Sequence, residues 1–319
     1  MTKQRLVFRI IVIGIWVGLM TINVSHARAF QAGRTTEPSE KIAQLIAKIR
    51  EGEQGRIAPV NLGRMWEQLA EDYEDQGQYE KAEKAYNHAI QILGQTPEMA
   101  KVYAGALGHL GGLNLVLNNN DEAERCRMRA LAATQATGDK VYIARAKALL
   151  AEAYLANHKY RNARQMGTEA YNEMVSLKES DERIVGTLVI LAFSSSQEGQ
   201  HAYALERARD AASLALAALP ADSDLIGQAH MALGYAEWKA GIVDLPDEQM
   251  REGIRILRKW TTPGHSYMVW ALTLYSTYLK ATHHREEARQ VEQQLRAEAV
   301  MRASGCVGCT VSVNSLRTK

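Results

Sequence analysis

Cys306 and Cys309 form a CxxC pair close to the C-terminus. That spacing serves a disulfide, a redox-active dithiol or half of a zinc site. A reactive dithiol is best placed at a helix N-terminus, which lowers the thiol pKa, whereas Thr310 to Val313 alternates in a β-prone pattern. A zinc site needs four ligands, and His283 and His284 would complete one only if the tail folded back onto them. Thr310 after Cys309 excludes the CxxCH haem-attachment pattern. A structural disulfide or incidental pair is the first reading of Cys306 and Cys309, with the redox and metal readings open beside it. Cys126 falls inside a helical stretch and reads as a buried thiol. Ser194, Ser195 and Ser196 also lie in a helical run, without nucleophile-elbow glycines. No Gly-rich loop sits between strand and helix. The expectation is a protein that is not an enzyme and carries no cofactor.

The elements that hold these residues are written as a repeat. A leucine followed by a small residue recurs as Leu69-Ala70, Leu110-Gly111, Leu150-Ala151, Leu191-Ala192 and Leu233-Gly234, and Tyr275-Ser276 stands in the sixth place. The steps are 41, 40, 41, 42 and 42 residues. Twelve residues behind the small residue runs a second ladder of Ala82, Ala123, Ala163, Ala204 and Ala288. A period in this range predicts stacked helix pairs, each leaving an apolar face for the next pair to cover. Pro246 stands where the fifth alanine belongs, so the second helix there is predicted to start near Asp247 after a lengthened turn.

Trp66, Leu69, Ala70, Tyr73, Ala82, Tyr86 and Ala89 follow the order W-x2-L-small-x2-Y, A-x3-aromatic, A. This resembles the tetratricopeptide repeat superfamily, in the extended form of about 41 residues similar to kinesin light chains. The resemblance implies an all-α fold: a right-handed α-solenoid of antiparallel helix pairs, with a short non-helical tail. The expected organisation is a signal peptide over 1–29, a loose segment and capping helix over 30–62, six repeats over 63–300 and the cysteine-bearing tail over 301–319. Within 30–62, Ser39 to Arg50 reads as an amphipathic helix with Ile42, Leu45, Ile46 and Ile49 on one face.

Lys3, Arg5 and Arg9 precede an apolar run from Ile10 to Ile22, and Ala27-Arg28-Ala29 offers a cleavage site before Phe30. The run is shorter than the ~20 apolar residues of a spanning helix, which favours a cleaved signal over a retained anchor. Export to the periplasm or outside the cell, with no stable membrane span after cleavage, is the expectation. Cleavage removes Lys3, Arg5, Arg9 and Arg28 and no acid, so the formal charge falls from +2 to −2. A mature chain this close to neutral, without a basic stripe, argues against nucleic acid as ligand.

The resemblance also implies that the concave surface comes from the first helix of each repeat. In repeat one that lining is Arg64, Glu67, Gln68, Glu71, Glu74 and Asp75, an acidic end. His109 of repeat two and Glu152 of repeat three also fall on it, linked to no nucleophile. Farther along it becomes apolar and aromatic, and Leu115, Leu149, Ile190, Phe193, Tyr235 and Trp238 are the candidate binding residues. The Lys/Asn cluster that clamps a C-terminal carboxylate in some family members is absent. These side chains either receive a protein or peptide ligand, or bury against one another or the chain's own tail. The functional expectation is a scaffold that binds a protein or peptide. A thiol or metal role for the CxxC pair and a purely structural assembly subunit are the alternatives.

Overall fold

The structure is a computed structural model that describes residues 37–94, 97–221, 223–261 and 265–303. The proposed signal peptide over 1–29, Cys306, Cys309 and the remainder of the tail lie outside the described residues. Thirteen α-helices occupy the described residues, and none of them is long and apolar enough to cross a membrane. The chain divides into two compact units between Leu191 and Ala192, inside one helix.

The first unit holds α1 (Glu37–Glu51), α2 (Pro59–Asp75), α3 (Tyr79–Leu93), α4 (Ala100–Val116), α5 (Asn120–Thr137), α6 (Lys140–Ala156), α7 (Tyr160–Ser176) and the start of α8 (Asp181–Gln197). The second holds the end of α8, then α9 (His201–Ala218), α10 (Asp224–Lys239), α11 (Pro246–Trp260), α12 (Ser266–Ala281) and α13 (Arg285–Ala303). Helices pair as α2 with α3, α4 with α5, α6 with α7, α10 with α11 and α12 with α13, and neighbouring pairs touch through α3 with α4, α5 with α6 and α11 with α12. The capping helix is α1, with Ile42 and Ile49 buried in the core of the first unit. Helix α13 runs to Ala303, so the first three residues of the 301–319 segment are helical.

Both ladders are interior. Ala82, Ala123, Ala163, Ala204 and Ala288 are buried, as are Leu69, Ala70, Leu110, Leu150, Ala151, Tyr275 and Ser276. Small residues stand there because backbones nearly touch. A Cβ on Gly234 of α10 would lie 2.8 Å from the Pro246 carbonyl oxygen of α11, a distance real Cβ atoms essentially never show. Pro246 keeps its ladder position. It is buried as the first residue of α11, so this helix loses its opening turn while the pairing register is preserved.

A third ladder closes the turn inside each repeat. Gly77, Asn118, His158, Gly199, Gly241 and His283 all have left-handed backbone, with φ from 57° to 83°. After each, an amide reaches back five residues to a helix carbonyl. In the first unit these bonds run from Gln78, Asn119 and Lys159 to Tyr73, Asn114 and Tyr154, each at 2.8 Å. Gln200, Ile242 and His284 do the same to Ser195, Glu237 and Leu279 at 2.8 to 3.0 Å. This Schellman closure satisfies carbonyls that a helix end leaves open. Between repeats, Asp139 caps α6 by accepting from the amides of Val141 and Tyr142, and His265 caps α12 by accepting from Tyr267.

Where Tyr275 replaces leucine, its hydroxyl lies 2.9 Å from Asp247 Oδ1 and 3.1 Å from Glu287 Oε1, and Arg251 pairs with both acids. The substitution in the ladder is a polar tie joining α11, α12 and α13.

In the first unit, Gly111 leaves room for Arg127 of α5, whose Cγ would sit 2.8 Å from an added Cβ. Arg127 crosses that gap to pair with Glu152 of α6 and donates to the Leu149 carbonyl oxygen. Both side chains of the ion pair are at least 98% buried. Glu152 is therefore an interior strut of repeats two and three, not a member of an open lining. Removing one partner strands a buried charge, so Arg127→Ala or Glu152→Ala should cost about 3–5 kcal/mol. The joint replacement Arg127→Met with Glu152→Leu should recover most of that loss. Urea unfolding followed by circular dichroism tests this, and a mild single-mutant effect would refute the strut.

Cys126 lies on the same helix, buried, with its Sγ 3.6 Å from Glu122 Oε1. Burial chiefly, with Glu122 adding to it, pushes the thiol up to about 12 against the opposing pull of Arg129 and Arg127. The reactive thiolate is then scarce at pH 8. In a Cys306→Ser/Cys309→Ser background, Ellman's reagent should find no reactive thiol in the native protein at that pH and one after denaturation. Rapid native labelling would contradict this burial.

Candidate functional site

In the second unit, the first helices of successive repeats bring aromatic rings together. Phe193 of α8 lies 5.3 Å, centroid to centroid, from Tyr235 of α10 and 5.3 Å from Trp270 of α12, the latter edge-on at 75°. Tyr235 meets Trp238 at 5.7 Å, and Trp238 meets Tyr278 of α12 at 5.8 Å, both edge-to-face. These geometries place ring edges against ring faces, as the aromatic quadrupole favours. Gln197 Nε2 donates to the Tyr235 hydroxyl at 2.8 Å. Lys239 Nζ lies 5.3 Å from the Trp238 ring centre, and burial lowers its pKa.

Phe193, Tyr235, Trp270 and Tyr278 are buried, while Trp238 is partly exposed. Three polar atoms beside this cluster are buried with no hydrogen-bond partner: Ser196 Oγ, Gln228 Oε1 and Trp270 Nε1. Ser196 is one turn beyond Phe193 on α8, and Gln228 is two turns before Tyr235 on α10. The other end of the Gln228 amide donates to Asp224 Oδ2 at 3.1 Å, and burial raises the Asp224 pKa.

The six candidate residues divide three and three between the units. Phe193, Tyr235 and Trp238 come together in the second unit. Leu115, Leu149 and Ile190 belong to the first, where Leu115 and Ile190 are buried and Leu149 is partly exposed. For Phe193 and Tyr235, the reading in which side chains of the array bury against one another describes the ring contacts directly. Trp270 and Tyr278 complete the cluster. By the family pattern Trp270 stands at a lining position of the first helix of repeat six, whereas Tyr278 falls between such positions. Ser194, Ser195 and Ser196 are all buried in α8.

A second grouping occupies the acidic end of the first unit. Glu67 and Glu71 lie one turn apart on α2, and His109 projects from α4 with Nε2 3.9 Å from Glu67 Oε1 and Nδ1 3.4 Å from Glu71 Oε1. Burial and the neighbouring Glu71 push the Glu67 carboxyl up to about 7, against the pull of Arg64. Gly105 faces this carboxylate without a side chain: an added Cβ would stand 3.6 Å from Glu67 Oε1. The Tyr86 hydroxyl, on α3 beneath, donates to Glu74 Oε2 at 3.0 Å. His109 is 41 residues beyond Gln68, so the repeat step itself marks it as a neighbour of this helix face.

No protein-family model matches the chain, and no curated protein matches it by sequence. Solved structures do match in fold. The apo form of RapI superposes with a TM-score of 0.66 at 14% identity, covering 85% of this chain and 93% of RapI. NprR in complex with its cognate peptide NprX gives 0.58 at 13% identity, covering 85% and 84%. The nearly identical TPR-like repeats of a putative kinesin light chain from Podosopora anserina give 0.52 at 18% identity, covering 63% and 97%. With its paired helices, 40–42-residue step and interior small-residue ladders, the chain has the tetratricopeptide-like repeat fold.

Proposed function

We propose that the protein is an exported, non-enzymatic scaffold that binds an extended peptide or protein segment on the aromatic cluster of its second unit. The observation that carries this reading is a ring cluster with partly exposed Trp238 at its edge and three unpartnered polar atoms, covered until the rings part, beside it. Trp270 Nε1 is a donor, Gln228 Oε1 an acceptor and Ser196 Oγ either. Each buried polar atom left unmade costs about 1–3 kcal/mol, so such atoms call for a partner. A peptide backbone supplies both N–H and C=O at short intervals, and apolar side chains of the same segment suit the surrounding rings. The fold is compatible with this use, since NprR of the same fold is solved with its cognate peptide. Export rests on Lys3, Arg5 and Arg9, the apolar run behind them and Ala27-Arg28-Ala29.

Panning a random peptide library against the protein should select sequences with spaced apolar residues. Binding of a selected peptide, measured by fluorescence anisotropy, should weaken at least tenfold in Trp238→Ala and in Gln228→Ala, a change of about 1.4 kcal/mol. Circular dichroism confirms that both variants keep their helices. Equal affinity in both folded variants would remove the site from the cluster, and failure to select any peptide would favour a structural subunit. Expression with the native N-terminus, followed by N-terminal sequencing of the envelope or secreted fraction, should return Phe30 as the first residue. An intact N-terminus in the membrane fraction would instead make residues 10–22 an anchor.

A further inference from the structure

We propose that Glu67, Glu71 and His109 form a binding site for one divalent transition-metal ion, zinc in the first instance. One ligand atom from each side chain lies within 4.8 Å of the other two. Zinc bonds to imidazole nitrogen and carboxylate oxygen are about 2.0–2.2 Å, so tetrahedral ligands stand roughly 3.3–3.6 Å apart. The His109 Nδ1 to Glu71 Oε1 separation of 3.4 Å matches that edge, and rotation of the two carboxyl groups brings in Glu67. One imidazole and two carboxylates are a common donor set for such ions.

The backbone positions all three ligands. Glu67 and Glu71 share one face of α2 at i and i+4, and His109 faces them from α4, which touches α2. The two carboxylates are only 16% and 18% exposed, and His109 is 29% exposed. Paired carboxylates with reduced hydration repel each other more strongly than in bulk water, and a divalent cation between them relieves that repulsion. The site is nonetheless open at one side. Gly105 sets no side chain against the Glu67 carboxylate, and the residual exposure of the three ligands leaves a fourth position to water. The inference is independent of peptide binding, because its residues belong to the first unit and the aromatic cluster to the second.

The test uses the purified full-length chain carrying Cys306→Ser and Cys309→Ser, which removes the competing thiolates. After chelator treatment, calorimetric titration with Zn²⁺ should show one equivalent bound. Co²⁺ in its place should give ligand-field bands without thiolate charge transfer. Glu71→Gln, nearly isosteric, and His109→Gln should each weaken Zn²⁺ at least tenfold while circular dichroism stays unchanged. No saturable uptake overturns the proposal, as does unchanged affinity in the folded Glu71→Gln and His109→Gln variants. Binding by the parent but not by the cysteine-free chain also overturns it, and moves the ion to the tail.

Discussion

Paired helices in this chain approach until backbone meets backbone, and the rest of the structure depends on that clearance. Where the Gly253 and Gly227 main chains cross, no side chain fits between them. Alanine holds the place of Gly253 in the earlier repeats, buried at Ala89, Ala130, Ala170 and Ala211. Close approach brings larger side chains beside the contact into dense packing, and the dispersion gained there is lost if the helices separate by even an ångström. Pro246 shows which requirement is the stronger. The chain gives up a helical turn at the start of α11 before it gives up the position of the buried residue.

The helix pairs, their step and the shortened α11 were legible because each is a consequence of that clearance, and small residues at a fixed spacing announce it. The turn ladder was legible only where it is glycine. Gly77, Gly199 and Gly241 advertise left-handed backbone, whereas Asn118 tolerates it and His158 and His283 are carried into it by the helices on either side. Tertiary geometry overrides local preference at those two histidines. The Schellman bonds from Lys159 and His284 are the compensation visible in the structure.

The candidate sites were legible to a smaller degree, for a different reason. Lining positions follow from the repeat, but exposure at a lining position depends on what its neighbours put beside it. Glu152 and His109 both fall on the expected lining. Arg127 crosses Gly111 to take Glu152 into the interior, and no periodicity in the chain reports a pair separated by 25 residues. His109 remains partly exposed beside the acidic face of α2. Phe193 sits among four aromatic residues on two further helices, and the rings that cover it come from repeats whose order, not whose composition, makes them adjacent.

Buried polar groups serve two ends in this chain, and the difference argues for where function lies. In the first unit, Arg127 and Glu152 answer each other across the helix gap, Asn114 donates to the Leu110 carbonyl oxygen, and Tyr86 reaches Glu74. Those bonds fasten one helix turn or one repeat to another, which is structural use. In the second, Ser196, Gln228 and Trp270 place polar atoms beside rings that offer them no partner, although Trp66 Nε1, Arg127 Nε and Glu152 Oε1 of the first unit are unpartnered as well. A repeat array needs only apolar faces and small contacts to stack, so leucine or phenylalanine at those positions would stack as well. Retaining an indole N–H, an amide oxygen and a hydroxyl there is a departure from what folding alone requires, and such departures are the expected mark of a binding surface.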